Sequence, residues 1–453
     1  MTEKRKVQFI CQNCQAPYSR WQGKCDSCET WNSIQEEVIL SKSDIRATQL
    51  VKTAIPISAV KVYPEETISS YFREVDRVLG TGFVKGSVCL LGGEPGIGKS
   101  TLSLQLAQKI AATGHKVLYI SGEESASQLF LRAKRLGPNP PSLLILVETD
   151  MADILTVIRT EKPDFVILDS IQVMAHPDLT SPTGSISQVR YCTSELIKWI
   201  KELGSCALVI GHITKDGSLA GPKVLEHLVD VILFFEGEPN QQYRILRCFK
   251  NRYASTAEIG IFQMVASGLA EILKPSELFI DEVTFQNPGS SIVPILEGNR
   301  ALLVELQALV VDSGYGMAKR SFLGVDSNRA SLMIATMEKL LRVKLGGKDI
   351  FLNIVGGFKL SEPGLDLGII LSIASSLFEK SMTAKIGVIG EVGLTGEIRA
   401  VGNIEKRITE LQNMGFSACL LPEKNRKNFP AKATIQPYYV NHIRDAVTRF
   451  LGE

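Results

Sequence analysis

The sequence predicts an α/β fold on a largely parallel sheet, and three observations carry that prediction. Short apolar runs read as strands at 88–91, 116–120, 143–147, 165–170 and 207–211. Helix-forming stretches separate them, notably Gln188 to Leu203. The first run feeds into Gly93-Glu94-Pro95-Gly96-Ile97-Gly98-Lys99-Ser100, which fits G-x-x-x-x-G-K-[ST]. Strands that alternate with helices give a parallel sheet covered on both faces. Ligands of such sheets sit beyond the strand C-termini.

In that loop the glycines let backbone N–H groups face inward, and the following helix adds its positive end. Residues Gly93, Glu94, Pro95, Gly96, Ile97, Gly98, Lys99, Ser100 and Thr101 are therefore the candidate nucleotide cradle. Lys99 would reach the β- and γ-phosphates of ATP, and the Ser100 hydroxyl would ligate Mg²⁺.

The length of 453 residues suggests about three domains, and 45% apolar residues support full-sized cores. A formal charge of +2 means that any nucleic-acid surface is local. No run of roughly eighteen residues is apolar and uncharged; Asp366 interrupts the best candidate, 365–377. The residues after Met1 lack the apolar run of a signal peptide. A cytoplasmic protein without a membrane partner is expected. The scattered thiols of Cys89, Cys192, Cys206, Cys248 and Cys419 read as small buried residues.

At the start of the chain, Cys11, Cys14, Cys25 and Cys28 form C-x₂-C-x₁₀-C-x₂-C. Four thiolates in two knuckles suit a closed tetrahedral Zn²⁺ site that supplies most of the folding energy of a short module, residues 1–38. Disulfide pairing is the alternative. Lys4, Arg5, Lys6, Arg20 and Lys24, with Trp21 and Trp31, are either a nucleic-acid contact or a solvated face with two core tryptophans. Residues 39–66 show no sustained period and read as a linker.

Within the α/β region, 67–274, Asp169 follows four apolar residues and would hold Mg²⁺ through water. Glu123 and Glu124 end the second strand, and either would orient or deprotonate the attacking water, Glu123 being preferred. His212 is either a γ-phosphate sensor or a capping residue, and 216–222 is a small-residue loop.

Taken together, these motifs resemble the bacterial RadA (Sms) family of DNA repair proteins over the whole length. That resemblance implies a RecA-like P-loop ATPase core, a small zinc-binding module and a C-terminal α+β Lon-protease-like domain, here 275–453. The family signature Lys-Asn-Arg-Phe/Tyr-Gly stands as Lys250-Asn251-Arg252-Tyr253-Ala254. By resemblance, Lys250 and Arg252 would reach a neighbouring subunit's ATP. Ala254 in the glycine position would be strained by roughly 1 kcal/mol or more if φ is positive there. Glu258, Gly260, Phe262, Gly268 and Leu269 are also similar to the family's following segment.

Residues 363–425 resemble the Lon proteolytic domain, but Asp366 stands at the Ser position and Glu405 at the Lys position. Two carboxylates give no activated hydroxyl, so no peptidase activity is expected. Lys319, Arg320, Arg329, Arg342, Lys344 and Lys348 provide local positive charge there. The resemblance further implies a DNA-dependent ATPase in recombinational repair, a homo-oligomeric ring, a hexamer, acting on single-stranded and branched DNA. Its expected partners are a RecA-type recombinase and replication proteins. A nucleotide-switched adaptor without processive movement is the alternative.

Overall fold

The computed structural model describes residues 6–11, 16–31, 33–39, 67–211, 223–237, 243–280, 287–314, 317–356, 360–382 and 385–451. Lys4, Arg5, Cys14, the linker from residue 40 onward and the loop 212–222 lie outside the described residues. The chain divides into two compact units, Met1–Ile272 and Leu273–Glu453. None of the described helices is long and apolar enough to cross a membrane.

The first unit is built on a nine-stranded sheet. Its strands are β1 (Val88–Gly93), β2 (Val117–Ser121), β3 (Leu143–Val147), β4 (Phe165–Asp169), β5 (Cys206–Ile210), β6 (Val231–Glu236), β7 (Tyr243–Asn251), β8 (Ile259–Val265) and β9 (Gly268–Glu271). Their spatial order is β9-β8-β7-β6-β1-β5-β4-β2-β3. The run from β6 to β3 is parallel throughout. From β6 outward, β7, β8 and β9 continue antiparallel.

Alternation along the strands sends side chains into two cores. Cys89 and Leu91 of β1, with Phe165 and Ile167 of β4, join one core. Val88 and Leu90, with Val166 and Leu168, join the other. A strand buried on both faces reads as a continuous apolar run, and that is the signal these segments carry. The first core is closed by α1 (Arg73–Leu79), α2 (Lys99–Ala112) and α3 (Ala126–Leu136), the second by α4 (Met151–Glu161), α5 (Ile186–Leu203) and α6 (Lys223–Leu228). Short polar residues start the helices. Ser125 forms a capping box with Gln128, Ser185 accepts from Gln188 N–H, and Asp150 accepts from Ala152 N–H. Each such cap is worth about 1 kcal/mol. Ahead of this sheet in the chain, Lys6–Cys11, Pro17–Tyr18 and Ile34–Ile39 make a small antiparallel sheet.

The second unit carries a seven-stranded mixed sheet. Its strands are β10 (Ser290–Glu297), β11 (Arg300–Asp312), β12 (Arg320–Leu323), β13 (Lys348–Ile354), β14 (Ile386–Val388), β15 (Ala418–Pro422) and β16 (Gln436–Val440). Their order is β12-β13-β11-β10-β14-β15-β16. Helices α7 (Ser327–Leu341), α8 (Asp366–Leu377), α9 (Ile404–Asn413) and α10 (Ile443–Leu451) accompany it. The first ten residues of α8 are all buried. Gly368 lets it approach β10, because a Cβ there would lie 2.4 Å from the Val293 side chain.

Asp366 opens α8 with no solvent exposure. Arg329 of α7 holds it through two bonds, Nε to Oδ1 at 2.5 Å and Nη2 to Oδ2 at 2.6 Å, and Val392 N–H adds a third. Burial raises the carboxyl, and the Arg329 and Val392 bonds pull it back down. Glu405 is exposed in the first turn of α9, Ser361 is exposed, and Lys406 Nζ donates to Asn299. Arg329, expected to add surface charge, is instead consumed by this ion pair. Lys348 pairs with Asp312, and Arg320 donates to the Leu345 carbonyl.

Breaking the Arg329–Asp366 pair from one side strands a buried charge. Arg329→Met should lose about 3–5 kcal/mol in chemical denaturation, and the double change with Asp366→Leu should recover most of it.

Candidate nucleotide-binding site and cysteine cluster

Strand β1 ends at Gly93, and α2 begins at Lys99. Between them Gly96 (φ +77°) and Gly98 (φ +114°) take a backbone conformation that favours glycine. Gly93 serves a different need: a Cβ there would stand 2.6 Å from the Phe235 carbonyl of β6. Lys99 is 4% exposed, and its ammonium donates to the carbonyls of Gly93 (2.8 Å) and Glu94 (2.9 Å). Burial lowers its pKa, while the charges of Asp169 and Glu123 push it back up. Beside the loop lies a cavity of about 440 Å³ lined by Gly98, Lys99, Ser100, Arg135, Leu136 and Met264, among others. Its far wall, the β8–β9 turn, is tied to α2 by Gln105, which accepts from Leu269 N–H and donates to Leu269 C=O.

The carboxylates gather on the same sheet edge. Asp169 closes β4 opposite Ser121 of β2, and its Oδ2 accepts from Tyr119 at 2.6 Å. Glu123 accepts from Ser170 at 2.6 Å, next to Asp169 in the chain. Glu124 instead pairs with Arg132 of α3. The geometry thus separates two adjacent glutamates: Glu123 faces the Lys99–Asp169 group, and Glu124 is occupied elsewhere. These oxygens, with the Ser100 hydroxyl at the helix start, are a hard donor set that fits Mg²⁺.

Lys250 and Arg252 are not brought to this group. Antiparallel β7 ends beside the beginning of β6, where Asn251 pairs with Val231. Lys250 Nζ donates to the carbonyls of Glu226 (2.7 Å) and Val229 (2.8 Å). Burial and the neighbouring Arg252 charge lower the Lys250 pKa. Arg252 Nη1 pairs with Asp230 at 3.0 Å, its side chain half exposed. Asp230 precedes Phe235, the residue flanking Gly93, by five positions. That is about 16 Å of strand, so both cations sit at the opposite edge from their own phosphate loop.

Ala254 is not among the non-glycine residues at positive φ, so the expected strain is absent. Its methyl fits because Gly80 (φ +101°) faces it: a Cβ on Gly80 would lie 2.6 Å from that of Ala254.

In the N-terminal module the sulfurs of Cys11, Cys25 and Cys28 all lie within 4.8 Å of one another. Cys11 and Cys28 Sγ are 3.6 Å apart. Thiolates on a tetrahedral zinc at about 2.3 Å are separated by roughly 3.8 Å, whereas a disulfide needs about 2 Å. The cluster therefore fits zinc and not a disulfide between these residues, with Cys14 outside the described residues. Tyr18 Oη stands 3.0 Å from Cys25 Sγ as an outer partner. Trp21 (58% exposed) and Trp31 (70%) are on the surface, which removes the reading of them as core residues.

Sequence reasoning missed Tyr119, Ser170, Arg132 and the cavity wall at Met264. Tyr119 is hidden inside an apolar strand pattern. The signal for α3 was its last turns, where Arg132 and Arg135 stand three apart and Arg132 follows buried Leu129 by three, at the border of the apolar face.

Comparison with known proteins gives the following. The family described as AAA domain matches residues 64–218, and that described as subunit ChlI of Mg-chelatase matches 330–425. DNA repair protein RadA of Bacillus subtilis is 45% identical over 455 residues, 99% of each chain. Its namesake in Chlamydia pneumoniae is 44% identical over the full length of both chains. A solved KaiC-like protein of Pyrococcus horikoshii OT3 is 19% identical, covering 46% of this chain and 100% of its own, with a TM-score of 0.40.

For the cysteine cluster, metal analysis of the purified chain should find about one zinc per chain. Cys25→Ser should hold zinc weakly and give it up to a colorimetric chelator far faster than wild type, with the module unfolding as it does.

Proposed function

The chain belongs to the RadA family of DNA repair proteins, and on that footing we propose that it is an ATP hydrolase that moves single-stranded DNA through a ring of its own copies. Residues 1–38 would be the zinc module, 67–274 the motor and 275–453 the Lon-like scaffold. The observation that carries this reading is the separation of the cations from their own loop. A phosphoryl-transfer site with its arginine on the wrong edge is incomplete in one chain, and a second copy docked head to tail completes it.

The loop from Gly93 to Thr101 would cradle the phosphates with its N–H groups. Lys99 would exchange the Gly93 and Glu94 carbonyls for phosphate oxygens. Ser100 and Asp169 would hold Mg²⁺, which neutralises charge developing between the β- and γ-phosphates. Glu123 would orient the attacking water and take its proton. Lys250 and Arg252 of the adjoining copy would leave their own-chain partners and stabilise the transferring phosphoryl group. Turnover would then pull DNA held mainly through its phosphates, and so drive branch migration of recombination intermediates. A RecA-type recombinase and replication proteins would be partners, a hexamer the assembly and the cytoplasm the location. Asp366, locked by Arg329, and exposed Glu405 offer no nucleophile–base pair, so casein should survive incubation with the chain and ATP.

Turnover measured with and without single-stranded DNA tests the motor. Lys99→Ala and Arg252→Ala should each fall by roughly 10³-fold or more. An equal mixture of these two dead variants should regain measurable turnover, since mixed seams pair an intact loop with an intact arginine. A mixture that stays dead sinks the shared site. Glu123→Gln should cost about 10²–10⁴-fold and Glu124→Gln far less. DNA affinity should fall linearly on a log–log plot against salt. Turnover by wild type that DNA does not stimulate, with no strand displacement, favours the adaptor reading.

A further inference from the structure

Tyr119 is the one polar residue in the middle of β2, and it is 1% exposed. Val117 and Tyr119 face the core that α2 closes, among Leu104, Ala107 and Phe165. Phenylalanine would fill that space equally well, so what the tyrosine adds is its hydroxyl. A hydroxyl buried without a partner costs free energy. This one has two partners, on different elements. It donates to Asp169 Oδ2 at 2.6 Å, and Ser103 Oγ of α2 lies 3.3 Å away. Ser103 Oγ also stands 3.1 Å from the Ser100 carbonyl, one turn back on the same helix. With the tyrosine proton given to Asp169, Ser103 divides its own proton between Tyr119 Oη and Ser100 C=O.

The two ends of this chain of bonds are the two residues proposed above to hold magnesium. Resting on that reading of the site, we propose that Tyr119 is a positioning residue: with Ser103 it couples the phosphate-loop helix to the Asp169 carboxylate and sets the site's affinity for Mg²⁺. Pinning Oδ2 fixes the plane of the carboxylate. Among the described residues Oδ1 accepts no protein hydrogen bond, and it is the atom left for the metal shell. Without the pin, the carboxylate rotates about its last bond, and the ordering falls on metal binding. Partners of metal-ligating carboxylates commonly set metal affinity in this way.

Tyr119→Phe keeps the ring and removes only the oxygen. The Mg²⁺ concentration giving half-maximal ATP turnover should rise roughly 10- to 100-fold, and excess Mg²⁺ or Mn²⁺ should restore the rate. A fluorescent ADP analogue should bind the variant and wild type equally in EDTA. The gain in its affinity on adding Mg²⁺ should shrink in the variant. Ser103→Ala should shift both readouts in the same direction by less. Unchanged Mg²⁺ dependence and an unchanged affinity gain overturn the proposal, as does a rate loss that no metal concentration restores. If wild type hydrolyses no ATP, the motor reading fails, and the Mg²⁺-linked affinity gain still decides the role of Tyr119.

Discussion

Strand direction is the constraint on which the rest of the first unit depends. Because β1, β4 and β2 run parallel, Gly93, Asp169 and Ser121 all finish on one edge. Lys99, Tyr119, Glu123 and Ser170 are all tied to that edge. One reversal, at β7, sends Lys250 and Arg252 to the other side. No local adjustment could return an arginine across that length of strand. The same backbone that gathers Lys99, Asp169 and Glu123 on one edge thereby keeps Lys250 and Arg252 at the other.

Much of this was legible in the sequence because both-faces burial leaves a plain mark. The five apolar runs became β1 to β5, and the glycine loop fell between a strand and a helix as expected. The antiparallel extension β7–β9 was less visible, since no helix separates its strands and its alternation is broken by polar residues such as Arg244 and Gln263. Adjacent glutamates could not be told apart from order alone; it took the Arg132 partner of Glu124 to do so. The condition for strain at Ala254, a positive φ, is not met, and the glycine with the positive φ is its neighbour in space, Gly80, far off in sequence. A contact between distant positions leaves no local trace.

The second unit illustrates the same limit from the other side. An acidic residue opening an apolar helix reads as a helix start or a surface interruption. In the fold, Asp366 is at the centre of an ion pair whose partner, Arg329, had been counted among surface charges. Burying the carboxylate is expensive unless it is fully bonded, and the two-pronged contact with the part-exposed guanidinium and an added N–H meets that demand. The result is a three-bond joint between α7, α8 and Val392 at the start of the buried helix.

The seat of Lys99 gives one side chain two duties. Its ammonium brings positive charge to the start of α2, and it also clasps the Gly93 and Glu94 carbonyls of the turn just before that helix. Truncating it would remove both at once, so charge and loop shape are lost together rather than one at a time.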